Sequence, residues 1–213
     1  NFSGPYIPEG WSKSDSTFCF GAPASSFTLN RNCSVIKLAK NPNSTSTRVI
    51  KLSNASNIGF ENSSSYTSSA KATTISMNDR NVVYIGGYLS RTAERMFKLA
   101  IKNPALKTLN TVDDFLSLAG IKHNNGSMAS FMPASNTVQL TTNSARIGNF
   151  IDQTLKHSDN LYAETILNTV GLKQKGIGST KAGIEAVQEV FYKKMNLDTS
   201  NLTMYDGSGL SHL

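Results

Sequence analysis

Ser144 to Glu164 reads SARIGNFIDQTLKHSDNLYAE. Ile147, Phe150, Ile151, Thr154 and Leu155 recur three and four residues apart. They therefore share one face of a helix that Ser144 is placed to cap. Ser158-Asp159-Asn160 interrupts that pattern, and a second helix is expected from about Leu161 to Val170, ending at Gly171. Polar side chains at such a junction can project from it. A Ser hydroxyl donates and accepts a proton, and an Asn amide offers two donors and an acceptor, so Ser158 and Asn160 could relay a proton and hold a substrate amide. Ser-Asp-Asn is also an ordinary capping sequence, in which Ser158 or Asp159 simply starts the helix at Leu161.

After this stretch, Ile184, Val187, Val190 and Phe191 mark a further helix from about Lys181 to Met195, and Asp206-Gly207-Ser208-Gly209 is a tight turn. Upstream, Ala93, Met96, Phe97 and Ala100 have helical spacing, with Pro104 as the stop. Thr111 to Ala119 reads as a helix capped by Thr111, with Asp113 and Asp114 in its first turn and Gly120 at its end. Residues 122 to 136 read as a loop containing Asn125-Gly126. The first part of the chain is β-like. Val35 to Leu38 and Val49 to Leu52 predict a hairpin around Asn41-Pro42-Asn43-Ser44. Residues 54 to 70 are loop or weak strand, Thr73 to Met77 alternates, and Asn81 to Ile85 is a strand expected to stop at Gly86-Gly87. The expected layout is α+β: a mixed β-rich part over 1–136 with two helices near its end, then a helical part over 137–213.

The chain has 213 residues, 38% hydrophobic and 16% charged, with a net charge of +7. Lys and Arg form no dense run and no aromatic-interleaved basic stripe, so the charge reads as a scatter of surface Lys and no nucleic-acid partner is expected. The modest charged fraction leans towards a secreted or periplasmic setting. No apolar run reaches transmembrane length. Cys19 and Cys33 would close a short loop in an oxidising compartment or stay as two thiols in a reducing one. His123, His157 and His212 are dispersed, so neither a metal nor another cofactor is expected. Sequons such as Asn43-Ser44-Thr45 and Asn201-Leu202-Thr203 matter only in a eukaryotic secreted protein.

Lys156-His157-Ser158-Asp159-Asn160-Leu161-Tyr162-Ala163-Glu164 closely resembles the second-motif segment of the D-Ala-D-Ala carboxypeptidase/endopeptidase family, the class C low-molecular-mass penicillin-binding proteins. Three more stretches agree in order. Gly178-Ser179-Thr180 with Ala182-Gly183 resembles the turn that opens the next helix. Asp206 to Ser211 resembles the family's Asp-Gly-Ser-Gly-Leu-Ser. Gly21-Ala22-Pro23 followed by Leu29-Asn30-Arg31-Asn32 resembles the start of its inserted domain. The likeness is strong from about 137 onward and looser before.

The resemblance implies an inserted mixed β domain, then the helical part of a penicillin-binding (β-lactamase/transpeptidase-like) domain. It also implies an extracytoplasmic serine peptidase acting on peptidoglycan stem peptides and acylated by β-lactams. Ser-x-x-Lys would supply nucleophile and base, Ser-x-Asn (here Ser158 and Asn160) would assist, and Lys-Thr-Gly would bind the terminal carboxylate. Ser34-Val35-Ile36-Lys37 has the first spelling but lies in a strand, where residues three apart face opposite sides. Ser68-Ser69-Ala70-Lys71 lies in a Ser-rich loop. Lys181-Ala182-Gly183 echoes the third motif but opens a helix. The first and third motifs are therefore expected outside this chain, which by itself is expected to be inactive. Ser208 lacks the Gly-x-Ser-x-Gly frame of a hydrolase elbow, so Asp206 is expected to bond nearby backbone N–H groups in a structural turn. The rival reading is a non-catalytic envelope module that keeps the scaffold.

Overall fold

The computed structural model describes residues 2–4, 7–53, 58–122, 144–198, 200 and 202–213. The expected boundary at 136/137, the Asn125-Gly126 loop, His123 and Asn201 lie outside them. The chain divides into two compact units: Ser12–Pro23 with Thr28–Lys107, and Asn1–Trp11, Ala24–Phe27 and Thr108–Leu213.

The first unit is β-rich. β1 (Cys33–Lys40) pairs antiparallel with β2 (Thr47–Ser53) and, on its other edge, with β7 (Glu94–Ala100). The predicted hairpin is thus present, with Leu38 opposite Val49. A second sheet is organised by β6 (Val82–Ser90), which pairs parallel with β3 (Gly59–Asn62) and β4 (Ser65–Thr67) and antiparallel with β5 (Thr73–Met77). Its inward residues Val83, Ile85 and Leu89 join Ile36, Leu38, Ile58 and Leu99 in one buried core. Alternation along each strand turns these side chains to the same side. β6 runs through Gly86-Gly87 to Ser90, where a stop was expected. Gly87 has φ +70°, and a Cβ there would lie 2.5 Å from the Ala72 carbonyl oxygen. These glycines let β5 approach closely and leave the strand intact. Cys19, in a short 3₁₀ turn, forms a disulfide with Cys33 at the start of β1.

Within residues 93–100, expected to be helical, Glu94–Ala100 form β7, so one α-helix and not two precedes residue 123 among the described residues. Pro104 opens that helix, α1 (Pro104–Leu118), and does not close one. Proline is well suited to the first helical position, and Asn103 Oδ1 caps the helix by accepting the Leu106 N–H at 3.0 Å. Thr111 therefore lies inside α1. The helix does stop at Gly120 as expected: this residue has φ +73°, and the Ile121 N–H returns to the Leu116 carbonyl.

The second unit contains α2 (Ile147–His157), α3 (Asn160–Lys175) and α4 (Thr180–Met195). The residue preceding α2 is Arg146, not Ser144, and it makes no side-chain cap. α3 passes Gly171 and ends at Gly176, in the left-handed conformation. Gly171 serves packing instead. A Cβ there would stand 2.7 Å from Gly183 N, and one on Gly183 would stand 2.3 Å from the Leu167 carbonyl oxygen, so α3 and α4 meet backbone to backbone. Ser179 caps α4 by accepting the Ala182 N–H at 3.2 Å.

Candidate functional site

The break between α2 and α3 is two residues long. Ser158 ends α2 in the left-handed region (φ 50°, ψ 52°), its N–H returning to the Thr154 carbonyl. A non-glycine residue there is uncommon and costs about 1 kcal/mol. Asp159 follows in an extended conformation and caps α3 through its side chain, which accepts the Tyr162 N–H. Asn160 is the first helical residue. The three side chains part company at this corner: Asp159 is buried, Asn160 half-buried and Ser158 exposed. So the capping reading holds for Asp159, and the residue pair singled out for chemistry lies on either side of it. Phe150 of α2 meets Tyr162 of α3 edge to face at 5.6 Å between ring centroids, which fixes the angle of the corner.

Asp206-Gly207-Ser208-Gly209 is the structural turn expected. Asp206 is buried and accepts N–H bonds from Gly209 (2.6 Å) and Ser211 (2.7 Å). It also accepts the indole N–H of Trp11 at 2.8 Å. The first residues of the chain are tied in elsewhere too: Ser3 N–H donates to the Gly178 carbonyl at 2.7 Å, and His212 N–H donates to the Gly10 carbonyl at 3.0 Å.

Sequence reasoning missed Glu164. It is 1% exposed, and its Oε1 accepts the N–H groups of Gly207 (2.8 Å) and Ser208 (2.9 Å). Burial pushes its carboxyl up to about 7, helped by the charge of Asp206 and opposed by hydrogen bonding from Ser208 and Gly207. Its Oε2 and the Ser208 hydroxyl are both buried without a well-formed bond. Glu164 stood in the quoted motif, but nothing in a Leu-Tyr-Ala-Glu string announces a buried carboxyl.

The alternative serines stand where strand and loop geometry put them. Ser34 is fully buried on the inner side of β1 and donates to the Ser53 carbonyl at 2.8 Å. Lys37 reaches the other way and pairs with Glu94 at 3.0 Å. Lys71 rests over the ring of Tyr88. Lys181-Ala182-Gly183 lies in the first turn of α4. Among the described residues no group of three or more His, Cys, Asp or Glu is placed to hold a metal ion, and no helix is long and apolar enough to cross a membrane.

The model of the D-Ala-D-Ala carboxypeptidase 3 (S13) family matches residues 1–213. A curated D-alanyl-D-alanine carboxypeptidase from Actinomadura sp. (strain R39) is 34% identical over 68 residues, which is 32% of this chain and 12% of that protein. The crystal structure of penicillin binding protein 4 (dacB) from Haemophilus influenzae superposes with a TM-score of 0.84 at 21% identity, covering 99% of this chain and 48% of that one. The same protein complexed with a β-lactam gives a TM-score of 0.77 at 20% identity, over 92% and 46%. At these identities the structural likeness speaks for the fold, an α+β penicillin-binding-like architecture. The chain spans about half the length of these structures.

Proposed function

Because this chain belongs to the D-Ala-D-Ala carboxypeptidase 3 (S13) family, we propose that it is a segment of a serine-type carboxypeptidase/endopeptidase that cleaves peptidoglycan stem peptides outside the cytoplasm, in a periplasmic setting. Its inserted accessory domain, over about 1–136, contains the β-rich unit, a reading supported by the way the chain leaves the helical unit after Trp11 and, but for Ala24–Phe27, rejoins it at Thr108. The segment from about 137 belongs to the penicillin-binding domain.

In the reaction, a serine from a Ser-x-x-Lys helix elsewhere in the protein attacks the carbonyl of the penultimate D-Ala. The lysine amine takes the hydroxyl proton, and the scissile C–N bond breaks. Ser158 helps return a proton to the departing amine, and Asn160 hydrogen-bonds an amide of the acyl side. Water then releases the acyl group. A β-lactam enters the same path, with its ring amide as the bond broken. The observation that carries this reading is the corner itself: a strained, exposed Ser158 and a half-buried Asn160, separated by an Asp159 that is consumed as a cap. Strain of this kind gathers at functional sites.

The test is labelling by a fluorescent penicillin of this chain and of the full-length protein, with the labelled peptide mapped by mass spectrometry. Only the full-length protein is expected to label, at a serine outside this segment. Replacing Ser158 or Asn160 by Ala should slow its acylation by about 100-fold. Labelling of this chain at Ser34 or Ser68, or full labelling rates in both Ala variants, would sink the proposal.

A further inference from the structure

Glu164 has no part in the chemistry above, yet it is more deeply buried than any other charged side chain described in the helical unit. It lies four residues after Asn160, and so on the same face of α3 as the second residue of the motif. One carboxyl oxygen receives two successive backbone N–H groups, those of Gly207 and Ser208. Two donors from adjacent peptides fix the orientation of a turn as well as its position. The turn sits directly on the helix, since a Cβ on Gly207 would stand 3.0 Å from the Ala163 carbonyl oxygen and 3.1 Å from Leu167 Cβ. Asp206 makes the turn rigid within itself and anchors it to Trp11. The second carboxyl oxygen and the Ser208 hydroxyl are both buried without a well-formed bond, and hydrogen bonding from Ser208 works against the rise of the Glu164 pKa.

We propose that Glu164 is a positioning residue for Ser158 and Asn160: it tethers the Gly207–Ser208 turn to α3, holds the start of that helix in place, and does so best as the neutral acid. This rests on the reading of Ser158 and Asn160 given above. The neutral acid can direct its proton at Ser208, whereas the carboxylate, even when it accepts the Ser208 hydroxyl, is a charge buried from solvent and a second negative charge beside Asp206. Among the described residues, the charge acting on it is that of Asp206, and no cation offsets it. The buried residues of α4 are Ala182, Gly183 and Ala186, and Trp11 gives its N–H to Asp206. On α2, Asp152 and Lys156 pair with each other in solvent, and His157 is exposed. Burial places the titration of Glu164 near 7, within the working range of an extracytoplasmic enzyme.

The experiment is the rate of acylation by a fluorescent penicillin in the full-length protein, with wild type and Glu164→Gln compared across pH. Gln stays neutral, can accept both N–H bonds through its oxygen and can donate to Ser208. Taking the ratio of the two rates cancels every other titration. It is expected near 1 at about pH 6 and lower by about threefold or more at about pH 8.5, as the wild type ionises and the variant does not. A ratio constant across that range overturns the proposal and leaves Glu164 a structural residue. Glu164→Ala is expected to acylate about tenfold more slowly per folded molecule, having lost the tether; if it does not fold, the Gln comparison alone decides. A wild-type protein that does not label at all overturns the functional reading, and this one with it.

Discussion

At the scale of single residues the corner at Ser158 trades stability for exposure of a hydroxyl. Glycine adopts the left-handed conformation without strain, so Ser158→Gly is expected to stabilise the fold by about 1 kcal/mol in urea unfolding. The same variant should lose acylation, and a gain in both quantities would contradict the role assigned to Ser158. Asp159→Ala should act in the opposite sense, costing about 1 kcal/mol through the lost cap. Glu164 gives a pH dependence whose sign follows from its raised pKa. The folded state keeps a proton that the unfolded chain releases near 4.5, the ordinary value of a Glu carboxyl. The contribution is therefore complete below about 4.5 and is lost as pH rises to about 7, up to roughly 3 kcal/mol in all. Unfolding free energies of wild type and Glu164→Gln should diverge over that window; parallel curves would show that the carboxyl titrates normally. Ser158, Asp159 and Asn160 were legible in the sequence because capping chemistry and spacing announce a helix junction. Glu164 was not, because its burial depends on a turn 43 residues away in sequence.

Between elements, the contact of α3 with α4 depends on the absence of side chains. Gly183→Ala gains helix propensity of about 1 kcal/mol, yet its methyl would drive into Leu167 and its carbonyl. The net effect is expected to be a loss of about 2 kcal/mol from overpacking. Gly148 of α2 has nothing among the described residues within 4 Å of its added Cβ, so Gly148→Ala should instead stabilise by about 0.5–1 kcal/mol. Denaturant midpoints of the two variants should move in opposite directions; a stabilised Gly183→Ala would mean the helices are less closely packed than described. Where periodicity and environment agreed, the elements were legible: the β1–β2 hairpin, β5 and the three C-terminal helices. β7 was not, for a specific reason. Met96 is apolar but 64% exposed, while Leu99 is fully buried. The apolar Met96 hides the two-residue period of Phe97 and Leu99 and imitates a helical one. That misreading carried Pro104 with it, turning a helix start into a stop.

Over the molecule as a whole, charge and cross-links are unevenly shared. Lys and Arg outnumber Asp and Glu by 13 to 4 in the β-rich unit and are outnumbered 8 to 10 in the helical unit, so the excess of positive charge lies in the former. The disulfide is there as well, closing a loop with a sequence separation of 14. Reduction should cost that unit about 3 kcal/mol, visible as a lower melting temperature with dithiothreitol and absent from a Cys19→Ser, Cys33→Ser double variant. An equal drop in the double variant would assign the effect to the reductant. The link from Trp11 to Asp206 spans 195 residues and belongs to a unit whose parts lie on both sides of the β-rich one. This has a consequence for how the protein is made. A chain elongating at about 5–20 residues per second takes roughly 10–40 seconds to run from one partner to the other. During that interval the β-rich unit can complete itself, while Trp11 waits without an acceptor. The helical unit cannot make this link until Asp206 has been synthesised, so its late closure defines a period in which its unfinished apolar surfaces are open to chaperones and proteases.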